Sequence, residues 1–146
     1  MVFVLDRMTK ALVGSSIAPE GSVTVIKGFF DLTYARNTGA AFSILSDAHE
    51  SFRVPFLLIS TAAAIALLFY FIKKTAPEHK AMQFALALIL GGAAGNLADR
   101  LMYGYVVDFI DWHIGGFHWP AFNVADSGIT VGVVLLGIET IIRKKV

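Results

Sequence analysis

Cysteine is absent from this chain. That removes disulfides, thiolate metal sites and cysteine nucleophiles together. Charge is scarce as well: only 16% of residues are Asp, Glu, Lys or Arg, against about 25% in an ordinary soluble domain. The charges that remain are balanced, with 12 Lys+Arg against 11 Asp+Glu and a net charge of +1. No dense basic face of the kind a nucleic-acid binder needs is present. No internal repeat or low-complexity tract is visible. What is abundant is apolar surface: 56% of the 146 residues are hydrophobic, and the mean hydropathy is +0.68. Disorder is excluded, and the composition is that of a small integral membrane protein.

The length allows one domain, 1–146. A spanning helix needs about 20 mostly apolar residues. Residues 54–72 carry no charge and are bracketed by Arg53 and by Lys73 and Lys74, with Pro55 expected in the first turn, where a missing N–H costs little. Residues 81–98 are apolar and rich in glycine, and 122–142 end at Arg143, Lys144 and Lys145. A weaker fourth span, 1–17, is interrupted by Asp6, Arg7 and Lys10. A secretory signal peptide is the rival reading of that end. It needs a basic start and then an unbroken apolar run, and neither is there. Lysine in the loop 73–80 and the basic C-terminus place both on the cytoplasmic side. Four spans put the N-terminus there too. The loops 18–53 and 99–121 then lie outside.

The first outer loop has structure of its own. Residues 23–26 and 29–34 are rich in β-branched and aromatic side chains, punctuated by Gly21 and Gly28, and predict short antiparallel strands. Asn37-Thr38-Gly39 is a turn signal. Residues 40–45 predict a short helix on the membrane surface. The fold class is therefore a mainly α membrane protein: four transmembrane helices, a small extracytoplasmic antiparallel sheet and a short interfacial helix.

Ionisable groups at membrane depth are costly and by default functional. Asp6 and Lys10 are spaced i, i+4 and can pair on one helix face, which reads as a neutralised structural pair. In GAAGNLADR, residues 92–100, Asn96 and Arg100 are also i, i+4. Just before them, Gly91 and Gly95 make a small-xxx-small face for close helix approach. Asp99 and Arg100 read either as an interfacial ion pair ending the helix or as groups that position a substrate or lipid head group. Asp108 sits alone in the apolar run VVDFI, residues 106–110. Asn123 and Asp126 open the last span, where an acidic residue also suits the helix dipole. Two buried carboxylates brought together share one proton, the arrangement by which aspartic proteases activate water. Asp108 and Asp126 are the candidate catalytic pair.

Rival chemistries are less well supported. His49-Glu50 is followed by Arg53 where a zinc protease motif needs histidine. His113 and His118 with Asp108 and Asp111 can be drawn as a metal site, but Trp112 and Trp119 beside them look like an interfacial belt. A serine–lysine dyad has no lysine near Ser127. The single Asp126-Ser127-Gly128 tripeptide falls on a predicted helix and is a coincidental match to soluble aspartic proteases. A proton-coupled transporter or channel also places carboxylates at membrane depth, usually nearer the midplane and with repeats.

Taken together, 6–10, NTGAAF at 37–42, GAAGNLADR at 92–100, VVDFI at 106–110 and PAFNVADSGIT at 120–130 resemble the lipoprotein signal peptidase (type II signal peptidase) family, in its order and spacing. The resemblance implies a monomeric aspartic endopeptidase of the bacterial cytoplasmic membrane that needs no metal or cofactor. Its substrate would be a prolipoprotein carrying diacylglycerol on a cysteine, cut just before that cysteine toward the outer leaflet. It implies Asp108 and Asp126 as the catalytic pair. Asn96, Asp99, Arg100 and Asn123 would line the site, Asn37 and Gly39 would lie on the loop approaching substrate, and Asp6 and Lys10 would be the polar pair of the first helix. Two departures stand out. Arg7 follows Asp6 where the family has glutamine, and only five residues precede Asp6 where the family has a longer apolar run. The first helix is then short, or the start lies upstream.

Overall fold

The structure is a computed structural model and describes residues 1–40 and 44–143. Its elements in chain order are α1 (Val2–Ser16), β1 (Ser22–Ile26), β2 (Phe30–Asn37), α2 (Glu50–Lys74), α3 (Lys80–Tyr103), β3 (Val106–Ile114), β4 (Phe117–His118) and α4 (Val124–Arg143).

Three of the four expected spans, α2, α3 and α4, are long and apolar enough to cross a membrane. They expose large apolar side chains such as Phe56, Ile59, Leu67 and Val134, as a lipid-facing surface would. The fourth, α1, has 15 residues and is about 22 Å long, short of the roughly 30 Å hydrocarbon thickness. Helix limits follow the charges. Glu50 opens α2, and Lys73 and Lys74 close it, each sign complementing the macrodipole. The helix starts four residues before the apolar run, so Pro55 lies beyond the first turn. There its missing N–H leaves the Ser51 carbonyl without the usual i, i+4 donor. α3 runs past residue 98 to Tyr103 and stops at Gly104, whose φ of 78° supplies the left-handed cap.

The glycines of α3 set how closely the helices pack. A Cβ on Gly95 would lie 2.6 Å from Asp6 Oδ2 of α1, and Gly91 faces Val2 of α1. The small-xxx-small face therefore meets the first helix. A Cβ on Gly92 would collide with the Ala125 carbonyl oxygen and sit 2.8 Å from the Ile129 side chain of α4. Backbone cannot step aside as a side-chain tip can. Gly92→Val is therefore expected to destabilise the fold by about 1–3 kcal/mol, seen as a lower thermal midpoint in detergent; an unchanged midpoint would contradict this packing.

The expected strands form a four-stranded antiparallel sheet in the order β1-β2-β3-β4. β2 pairs with β3 through Phe30↔Trp112, Asp31↔Asp111, Ala35↔Asp108 and Asn37↔Val106, with a register shift between Leu32 and Ala35. Gly115 at φ 61° turns β3 into β4. The chain then folds back: Phe122 bridges to Ile110, and its carbonyl oxygen accepts from the N–H groups of Phe109 and Ile110. That return sets the start of α4 beside Asp108. The helix expected over 40–45 falls largely on 41–43, outside the described residues; Ile44 onward forms turns.

Candidate active site

Asp108 and Asp126 are brought together by one asparagine. Asn123 precedes α4 and its Oδ1 accepts from the N–H of Asp126 at 2.9 Å. In return, the Asn123 N–H donates to Asp126 Oδ2 at 3.3 Å. This is a capping box, so Asp126 does serve the helix terminus, as its position in the sequence suggested. The same Asn123 sends its Nδ2 to Asp108 Oδ1 at 2.7 Å. Capping and site assembly are one interaction. Asn123 is fully buried and Asp108 is only 3% exposed.

Each carboxylate has a second amide donor. Asn37 at the end of β2 donates through Nδ2 to Asp108 Oδ2 at 3.0 Å. Asn96 of α3 donates through Nδ2 to Asp126 Oδ1 at 2.8 Å. The Asn37 side chain also accepts from the Gly39 N–H at 2.9 Å, which shapes the turn, and the Gly39 carbonyl accepts from Arg100 Nη2 at 3.0 Å. Arg100 Nε is buried and has no partner among the described residues. Asn37, Asn96, Arg100, Asp108 and Asp126 all line one cavity of about 820 Å³ whose other walls include Trp112, Trp119 and Phe122.

Behind these groups lies an ionic cluster. Lys10 Nζ, almost wholly buried, reaches Asp6 Oδ2 at 2.9 Å and Asp99 Oδ2 at 2.8 Å. It also donates a hydrogen bond to Asn96 Oδ1 at 3.1 Å, so one ammonium joins two carboxylates and an amide. Arg7 pairs with Asp99 as well. The sequence departure at position 7 thus supplies a second cation to a set with two anions. Asp6 Oδ1 accepts from the Ala125 N–H at 3.0 Å, satisfying another free donor of the α4 terminus. Asp99 Oδ2 accepts from the Val107 N–H at 3.1 Å, next to Asp108.

Two expectations are corrected here. Asp99 and Arg100 do not form an ion pair with each other, because consecutive helix residues point about 100° apart. Asp99 turns inward to Lys10 and Arg7, and Arg100 turns to Gly39. Neither Asp99 nor the fully buried Asn123 is among the cavity-lining residues; Asp99 supports the site by holding β3, and Asn123 by holding the two carboxylates from behind. Asp6 and Lys10 do form the expected pair, and it reaches further than helix packing. The aromatic wall at Trp112 and Trp119 was not singled out from the sequence as part of the site. The available signal was two tryptophans close to Asp108, which read equally well as an interfacial belt.

Burial pushes the Asp108 carboxyl up to about 7, with the charge of Asp126 adding to the rise, against the lowering effect of the Asn37 and Asn123 hydrogen bonds. Between roughly pH 4 and 7 the folded chain keeps a proton that the unfolded chain has lost, so this group makes stability fall as pH rises through that window. If the pair must hold one proton to work, kcat/KM falls above about pH 7, by about tenfold per unit. A rate still rising at about pH 9 would contradict a required Asp108 proton.

Comparison with known proteins identifies the family. The profile of the family described as Signal peptidase (SPase) II matches residues 1–142. The chain belongs to the signal peptidase II family. Among its relatives, the lipoprotein signal peptidase of Syntrophotalea carbinolica is 46% identical over 93% of this chain and 83% of that protein. The lipoprotein signal peptidase of Ralstonia nicotianae is 49% identical over 96% and 79%. A solved bacterial membrane enzyme superposes with a TM-score of 0.85 at 39% identity, covering 96% of this chain and 82% of that one. Membership of the signal peptidase II family makes this chain a protease. A transporter reading finds no support in these relatives.

Proposed function

We propose that this chain cleaves diacylglyceryl-modified prolipoproteins just before the lipidated cysteine, as a membrane aspartic endopeptidase with Asp108 and Asp126 as its catalytic pair. The observation that carries the reading is the double role of Asn123, which holds one carboxylate by its amide and the other by the helix cap. In the resting pair one proton is shared, and we place it on Asp108. Asp126 lies in the first turn of α4, where the dipole favours an anion.

Water in the cavity gives a proton to the Asp126 carboxylate as its oxygen bonds to the scissile carbonyl carbon. The Asp108 carboxyl donates to the carbonyl oxygen. Collapse of the tetrahedral species breaks the C–N bond. The cysteine nitrogen leaves with the proton from Asp126, and Asp108 recovers its own. Asn96 and Asn37 hold the carboxylates while their charge changes. Arg100, already fixed to Gly39 and with Nε unused, is placed to donate to a substrate carbonyl. The aromatic cavity wall suits acyl chains, whose binding energy is remote from the bond broken and can be used to orient it.

The orientation follows from the basic residues. Arg143 of α4 contacts His79 at 2.9 Å, so the C-terminal end of α4 and the loop joining α2 to α3 lie together. We take this basic end as cytoplasmic and the sheet with the two aspartates as facing the outer leaflet of a bacterial inner membrane. We take the working unit to be a monomer, as the family resemblance implies. The test is mass spectrometry of the products from a purified diacylglyceryl prolipoprotein in detergent. Two products separated at the bond before cysteine are expected. Intact substrate, or ion flux in protein-loaded liposomes without cleavage, would overturn the reading.

A further inference from the structure

The outer sheet carries a second cluster that the cleavage chemistry does not use. Asp111 and His113 are two apart on β3, and His118 is the direct cross-strand partner of His113 on β4. Residues two apart on a strand share a face, as do cross-strand partners. The potential ligand atoms of all three lie within 4.8 Å of one another. Trp112 and Trp119, the sequence neighbours between and after them, line the active-site cavity, whereas none of these three does. The cluster therefore lies on the other side of the hairpin from the cavity. Asp108 is not part of it, contrary to the grouping drawn from the sequence.

Two observations mark it as unfinished without a cation. His113 is 9% exposed, and its buried Nδ1 has no hydrogen-bond partner among the described residues. Asp31 of β2 stands directly opposite Asp111, and its Oδ1 is also buried without a hydrogen-bond partner among the described residues. Carboxylates facing each other across two strands repel. His118 lies against this pair, its Nδ1 2.9 Å from Asp111 Oδ2. Two imidazoles and a carboxylate are the donor set that borderline divalent metals prefer, with zinc commonly held by three such ligands and one open position. Calcium and magnesium want oxygen donors throughout.

We propose that Asp111, His113 and His118 form a zinc-class divalent metal site on the outer face of this protein. The two rings stack with centroids 4.6 Å apart and planes 23° apart, so capture needs one ring to turn. His118, half exposed, is free to do so, whereas His113 is held by its burial. The metal would tie β4 to β3 and so steady Trp119 and Pro120, the segment that enters the cavity wall. It has no part in breaking the peptide bond.

The experiment is titration of the full-length chain, purified without a histidine tag, with Zn2+ against a chromophoric chelator in detergent. One Zn2+ per chain is expected for wild type and for His79→Ala. His118→Ala and Asp111→Asn should each weaken binding by at least about tenfold. Zinc should raise the thermal midpoint of wild type by mass action and leave that of His118→Ala unmoved. His118 is exposed, so its removal should not prevent folding, and cleavage by metal-free His118→Ala should match metal-free wild type. No binding by wild type, binding equally tight in His118→Ala, or displacement by Mg2+ would each overturn the proposal. None of these results bears on the aspartate pair.

Discussion

Asp126→Asn is expected to reduce cleavage of a lipidated prolipoprotein by about 10³-fold or more, and Asp108→Asn by a similar factor, in protein that inserts and purifies normally. The size follows from what general acid–base catalysis contributes, about 10²–10⁴-fold, when no other group can take the role. Asparagine keeps the shape of aspartate but can neither take a proton from water nor donate one as an acid does. The hydrogen bonds set the structural cost. Asp126 accepts from Asn96 and from the Asn123 N–H, one on each oxygen, and Asp108 accepts from Asn37 and Asn123, again one on each oxygen. An asparagine at either position keeps one acceptor and turns its own NH2 against the other donor, so each variant should also lower the thermal midpoint modestly. Retained turnover in either would refute the assigned roles.

Lys10→Met has the second largest expected effect, this time on folding. The ammonium is 2% exposed and contacts two carboxylates that are fully buried. Its removal leaves Asp6 with no cation and Asp99 with Arg7 alone. Breaking a buried pair by removing one partner costs about 3–5 kcal/mol, a large part of a typical total stability. The loss should appear as poor yield and a sharply lowered midpoint in detergent. Asp6→Asn placed in the Lys10→Met background should recover part of it, because the uncompensated charge is then gone. Failure of that rescue would mean that Lys10 acts through packing rather than charge. Turnover should fall too, since Lys10 holds the Asn96 oxygen while the Asn96 amide holds Asp126.

Local pattern made much of this legible from sequence. Charge-free runs bracketed by Arg53, Lys73 and Lys74 gave the helices, and the β-branched stretches at 23–26 and 29–34 gave the first two strands, because both depend on neighbours in the chain. The isolated Asp108 in VVDFI and the Asn123–Asp126 spacing drew attention to the residues that the fold brings together. The limits were longer in range. Arg7 meets Asp99 across 92 positions, and no local spacing announces it. Reading Asp99 with Arg100 failed for the same reason: adjacency in sequence was taken for adjacency in space. The β3–β4 hairpin and the return of Phe122 onto Ile110 depend on a sheet that must first be assembled. Without them, the tryptophans could be read only as membrane anchors.

The central claim is that two carboxylates, sharing one proton and needing no metal, break the bond before a lipidated cysteine. The most direct measurement is the single-turnover rate on a diacylglyceryl prolipoprotein in detergent, with wild type, Asp108→Asn and Asp126→Asn run side by side in the presence of a strong chelator. The account predicts an undiminished wild-type rate and no product above background from either variant. Substantial product from either variant, or loss of wild-type cleavage on chelation, would contradict it.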